Sequence, residues 1–313
     1  MPGRKDTLAL FVLSGIWGSS YLLIAIGGQS LPPITLVTIR LAIGAVALQS
    51  ILRLRRAPLP RSRRILAALA FMGLTNNIIP FTLITWAETP GAHQVSSGLA
   101  AILVATVPIF TVVLAHFVLR DERFTVWAVA GILLGFAGVL VLMSPRLEGP
   151  SGHRATLGAL AVIAASLSYA VAAIFSRRVL SGVTPIVIGA MQMTWSVVFL
   201  VPTALLFEHA DLSQVSPQAW FAVAWLGVLG SGVAYILYFG LIQSVGATRT
   251  TLVTYLSPFV AVILGTVFNA EPIYWTLMAG IVLITGGAAM VNRKPRPASF
   301  DYAALRSGCP PTR

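Results

Sequence analysis

The feature that most constrains this chain is a succession of apolar runs, each about as long as a bilayer is thick. A helix needs about twenty apolar residues to cross the hydrocarbon core. Such runs lie near 7–27, 32–52, 65–87, 94–118, 125–144, 156–176, 184–207, 218–240, 247–268 and 273–291. Backbone groups in lipid must be satisfied within their own segment, which leaves the helix as the structure of each run. The thinnest boundary is that between runs eight and nine, where only GLIQSVGATRT intervenes. Apolar residues make up 57% of the 313 and charged residues 10%, against about a quarter charged in an ordinary soluble domain. A soluble fold could not cover that much apolar surface; a bilayer does. The first run follows Arg4 and Lys5 as a signal peptide would. It continues for about twenty residues without a small-x-small cleavage site, and reads as an uncleaved first span.

Charge sets the orientation. Lys and Arg collect in cytoplasmic loops. With ten spans and a cytoplasmic N-terminus, all but Arg40, Arg146 and Arg154 of the 21 bases fall on the cytoplasmic side, including the group from Arg53 to Arg64. Glu88, Glu148, Glu208, Asp211 and Glu271 fall outside. Nine or eleven spans would scramble this separation, so both termini are expected in the cytoplasm. The net charge of +12 does not indicate nucleic-acid binding, because the bases sit between hydrophobic runs and form no face interleaved with stacking aromatics. One cysteine, Cys309, excludes a disulfide framework. His93, His116, His153 and His209 show no metal-ligand spacing. No metal, cofactor or nucleic-acid partner is expected.

The chain also repeats itself. VPIFTVVLAHFVLRDERFTVWAVAGILLGFAG places Pro108, Glu122, Gly131 and Gly138 at intervals of fourteen, nine and seven residues. SPFVAVILGTVFNAEPIYWTLMAGIVLITGG places Pro258, Glu271, Gly280 and Gly287 at thirteen, nine and seven. The basic RDERF loop of the first copy answers to NAEPI, which has lost its bases. Five is odd, so the second half enters the membrane from the opposite side. The expected units are a first repeat over 1–150, an inverted second repeat over 151–292, and a disordered cytoplasmic tail over 293–313. Many secondary transporters use inverted repeats to alternate access around a site at the midplane.

These pieces resemble the EamA-type branch of the drug/metabolite transporter superfamily. The resemblance is carried by WGSS (Trp17 to Ser20), Arg40 after Pro32-Pro33, SSGLAAILVATVPIF (Ser96 to Phe110), the following ERF and GILLGFAGV (Gly131 to Val139). YLSPFVAVILG and EPI are its counterparts in the second half, and it extends over residues 8 to 291. It implies ten helices around a central cavity, a bacterial inner membrane and export of amino acids or related metabolites. Relatives handling sugars, nucleotide sugars or drugs leave the substrate open.

Arg40 is the one charge well inside a span, where it costs at least about 2.5–3.5 kcal/mol unless it faces protein or water. Two readings stand: a clamp for a substrate carboxylate or phosphate, or a structural pair with Glu88 or helix-end carbonyls. Span 1 carries no acid, and Glu88 sits at a span edge. That pattern points to facilitated transport, or to coupling through a group the sequence does not reveal. Asn76, Asn77, Tyr169, Gln192, Tyr235, Tyr238 and Tyr255 are polar groups inside spans, able to line a wet cavity or to bond helix to helix. Trp17 is mid-span and either walls that cavity or packs. Trp86 reads as an interfacial anchor. Pro80, Pro108, Pro202 and Pro258 are expected kinks, and the duplicated Pro108 and Pro258 are hinge candidates. Gly131, Gly135 and Gly138 permit close helix contact. An intramembrane enzyme would need a nucleophile–base pair or metal cluster at membrane depth, and none is recognisable. A non-transporting scaffold or receptor is the alternative from another class. Ten helices can enclose a pathway within one chain, so a monomer is expected.

Overall fold

A computed structural model describes residues 4–89, 95–118, 125–143, 152–245, 250 and 252–291. Among them there is no strand. The helices, in order, are α1 (Arg4–Gly27), α2 (Pro33–Leu54), α3 (Arg63–Gly73, Leu74–Ile78 and Ile79–Glu88), α4 (Ser97–Val104 and Val107–Val118) and α5 (Val126–Met143). They continue with α6 (Gly152–Val179), α7 (Pro185–Phe207), α8 (Pro217–Trp225, Leu226–Val233 and Ala234–Val245), α9 (Leu252–Asn269) and α10 (Trp275–Val291). Seven of them, all but α5, α9 and α10, are long and apolar enough to cross a membrane; these three are shorter apolar helices. The RDERF loop, Arg146, Glu148, Arg249, His93, Cys309 and the tail from Arg293 lie outside the described residues.

Helix starts follow from local chemistry. Proline stands in the first turn of α2, α7 and α8, where its missing N–H costs nothing. Ser96 and Ser216 cap α4 and α8 by accepting from Leu99 and Ala219 N–H. Two starts are capped from afar. Glu208, just past α7, accepts from the Ile34 and Thr35 N–H groups at 2.8 and 2.6 Å and from Thr35 Oγ1. Glu271, between α9 and α10, accepts from Ser97 and Gly98 N–H at 3.0 and 3.3 Å. A carboxylate there meets both orphan donors and the positive end of the helix dipole.

Two helices contain a widened, π-helical turn: Leu74–Ile78 in α3 and Leu226–Val233 in α8. Widening takes carbonyls out of the ordinary i→i−4 ladder, and at membrane depth they need other partners. Side chains of other helices supply them. Ser168 Oγ donates to Thr75 O, Ser196 Oγ to Gly73 O, and Trp17 Nε1 to Gly230 O. Pro80 follows the first widened turn, Pro108 follows the break in α4 at Ala105–Thr106, and Pro202 and Pro258 lie inside α7 and α9.

The helices pair in a pattern that returns when each is exchanged for the one five places along. α1 packs on α9 and α8, as α6 packs on α4 and α3; α2 packs on α8, as α7 packs on α3. The pairs α2–α7 and α5–α10 map onto themselves. In α5–α10 the backbones nearly touch: a Cβ on Gly131 would come within 2.5 Å of Gly287 O, and one on Gly287 equally close to Gly131 O. Gly138 faces Ile284 at 2.8 Å in the same way. Van der Waals contact at small residues is what holds helices together where lipid is as apolar as leucine.

Candidate functional site

The widened turns of α3 and α8 meet α1, α2, α6 and α7 around Arg40. Its side chain is 5% exposed. Arg40 Nε donates to Ser231 Oγ at 3.1 Å, and its guanidinium lies 4.1 Å above the Phe81 ring. A cation over an aromatic face gains about 0.5–2 kcal/mol, more as water is removed. Tyr21, Tyr169 and Tyr235 surround the same charge. Phe81 and Tyr169 are edge-on at 6.4 Å, and Trp17 stands against Tyr235 and Tyr238 at 6.4 and 5.4 Å. Asn76 Nδ2 donates to Gln192 Oε1 at 3.2 Å, and Asn76 also bonds Tyr235. Six of the seven residues picked from sequence therefore form one cluster: Arg40, Trp17, Asn76, Tyr169, Gln192 and Tyr235.

Asn77 is placed otherwise. It is fully buried and donates to Ser196 Oγ at 3.2 Å, tying α3 to α7. Tyr255 likewise bonds Ala288 O at 2.8 Å, joining α9 to α10. The pairing of Arg40 with Glu88 is not what the structure contains. Neither Glu88 carboxyl oxygen has a hydrogen-bond partner, and Arg40 is held by Ser231 and Phe81. The reason is that the widened turn of α8 brings Ser231 within reach of Nε. Glu88 is the last residue of α3, as the sequence indicates, yet it is only 4% exposed. Trp86, in the same turn, is 36% exposed. A small apolar cavity of about 30 Å³ beside the α4 break, lined by Thr106, Ile109, Phe110 and Gly135 among others, shares no residue with the Arg40 cluster.

Sequence reading misses Tyr21, Phe81 and Ser231. Tyr21 lies one turn past Trp17 in WGSSY, a spacing that could have marked it. Phe81 and Ser231 carry no sequence signal, being one aromatic and one small residue among many. Among the described residues no group of three His, Cys, Asp or Glu could hold a metal ion.

Membrane-length helices that gather an arginine, an amide pair and an aromatic ring set at their common crossing make a multi-pass membrane transporter. The chain belongs to the EamA-like transporter family, which matches it twice, over residues 6–144 and 156–293, and with it to the drug/metabolite transporter superfamily. It is 32% identical over 295 residues to the uncharacterized inner membrane transporter YedA of Escherichia coli K12, covering 92% of each chain. It is 26% identical to a probable amino-acid metabolite efflux pump of Salmonella typhimurium LT2, over 91% of this chain and 93% of that one. A probable terminal-alkyne amino-acid exporter of Streptantibioticus cattleyicolor is 28% identical over 94% and 95%. A crystal structure shares the fold with a TM-score of 0.65 at 22% identity, over 98% of this chain and all of that one.

Proposed function

We propose that this protein is a secondary transporter of the bacterial inner membrane that exports amino acids or related zwitterionic metabolites. In this reading ten membrane-spanning helices form two inverted five-helix repeats, which alternate access to the Arg40 cluster. The observation that carries it is the position of Arg40. The guanidinium is fixed by one neutral hydrogen bond and one ring, with no carboxylate on it, so its charge is available to an anionic group entering the cluster. A planar fork reads a carboxylate bidentately. Asn76, Gln192 and the three tyrosine hydroxyls offer the mixed donors and acceptors that an amino group and a small side chain need. The fivefold exchange in helix pairing, the paired widened turns of α3 and α8 and the double family match support the repeat. The names of the Salmonella and Streptantibioticus relatives support the substrate class. A single buried base fits a carboxylate better than the diphosphate of a nucleotide sugar.

The test is uptake of a radiolabelled amino-acid panel into proteoliposomes of the full chain, against protein-free vesicles. Saturable flux of some members supports the reading. No flux of any amino acid, from protein shown to be folded, overturns the substrate class and turns the search to drugs and sugar conjugates.

A further inference from the structure

Glu88 has an environment that neither packing nor the Arg40 site explains. It is 4% exposed, and both its carboxyl oxygens lack a partner. Three hydroxyls are in the same condition: Thr82 Oγ1 and Thr85 Oγ1, earlier on α3, and Ser97 Oγ, at the α4 start that Glu271 caps. The charges that act on Glu88 are Glu271, beside α4, and Arg40 on α2, of opposite sign; Tyr21 on α1 is the neighbouring titratable hydroxyl, and Tyr169 on α6 borders Arg40 and Tyr21. An ionised carboxylate buried without a donor costs several kcal/mol, and a second carboxylate nearby adds to that. Glu271 already has its donors, because Ser97 N, Gly98 N and Asn269 Nδ2 all donate to its carboxyl oxygens. Of the two, Glu88 is the one that must carry a proton while the helices are closed over it.

We propose that Glu88 is the proton-binding carboxyl of the transport cycle, neutral in the closed form and ionised when its end of the bundle opens to water. Opening supplies the hydration that the closed form denies, and the proton leaves to solvent as H⁺ with no other bond made or broken. Closing again requires its return from the same side, so each closure of that end takes up one proton and each opening releases it, which makes the cycle respond to pH on that side. This rests on the transporter reading above, and it gives the cycle a titrating carboxyl that the acid-free span 1 does not. An alkali cation fits less well, since both Glu271 oxygens are already held by N–H donors.

The experiment is infrared difference spectroscopy of the purified full chain in lipid nanodiscs, titrated from acid to alkaline pH without substrate. The expected result is a protonated-carboxyl band present at neutral pH, lost on alkalinisation, absent in Glu88→Gln and retained in Glu271→Gln. No such band in the wild type, a band that survives Glu88→Gln in folded protein, or one displaced by sodium rather than by alkali overturns the proposal. The wild-type titration decides the matter even if Glu88→Gln is unstable. In proteoliposomes, Glu88→Gln should keep exchange of labelled for unlabelled amino acid across equal concentrations and lose the dependence of that exchange on the pH of the compartment its end of the bundle faces. A pH dependence of exchange equal to wild type in that variant also overturns it. If no amino acid moves in the wild type, the substrate class fails, and the infrared titration still decides the proton site.

Discussion

Arg40 shows how far one residue's chemistry can be read from sequence and where reading stops. An arginine among apolar residues has to be held by something, and its position alone announces a site. What holds it was not legible. The Ser231 bond needs the widened turn of α8, and the Phe81 contact needs Pro80 to start a fresh helical segment just before it. Both are consequences of three-dimensional packing between helices far apart in sequence. The geometry separates charge from shape. Arg40→Lys keeps the charge and loses the planar fork and most of the ring contact, so initial transport rates in proteoliposomes should fall about tenfold, equivalent to about 1.4 kcal/mol. Arg40→Ala should fall further, by about a hundredfold. Rates unchanged in Arg40→Lys, with the variant monodisperse by size exclusion, would show that the fork is not used. Glu88 is the complementary lesson. Its place at a span edge is visible in sequence, while its burial is not, because burial depends on contacts between segments, such as the bond from Val95 N–H to Ala87 O beside it.

At the scale of elements, helix extents follow the hydrophobic runs closely, because the bilayer and the proline and serine starts act within one segment. The long-range caps were hidden, since nothing in EHADL or NAEPI says which helix end lies opposite. Glu208→Ala leaves three donors at the start of α2 without their acceptor. It should cost about 1–2 kcal/mol, the range for losing a cap, read as a lower Tm in detergent, with Glu208→Gln losing less. The glycine contact makes a sharper demand. Gly287→Ala puts a methyl 2.5 Å from Gly131 O with no flexible side chain to yield, so α5 and α10 must separate, at about 1–3 kcal/mol. Gly15 has nothing within 4 Å of the same position. Gly15→Ala should therefore leave Tm unchanged or raise it, by the roughly 0.5–1 kcal/mol that alanine gains over glycine in a helix. Equal effects of the two substitutions would mean that the α5–α10 backbones are not in contact in the membrane.

At the scale of the whole molecule, the proposed inversion makes a demand that no single contact makes: loops that correspond in the two halves must open on opposite sides of the membrane. Ser62, between α2 and α3, corresponds to Ser213, between α7 and α8; Gln29, between α1 and α2, corresponds to Gly182, between α6 and α7; all four are exposed. The charge pattern assigns the side of each. Six arginines flank Ser62 and two precede Gly182, whereas Glu208 and Asp211 precede Ser213. With Cys309 replaced by serine, single cysteines at Ser62 and Gly182 should react with a membrane-impermeant maleimide only from the cytoplasmic face. Those at Gln29 and Ser213 should react only from the outer face, measured on inside-out vesicles and intact spheroplasts. The original Cys309 should label with the cytoplasmic pair, because the proposed ten spans, an even number, would return the chain to the side it began on. If Ser62 and Ser213 label from the same face, the halves are parallel or a span has been miscounted. Alternation by exchange of two mirrored halves would then have no structural basis, whatever substrate the Arg40 cluster takes.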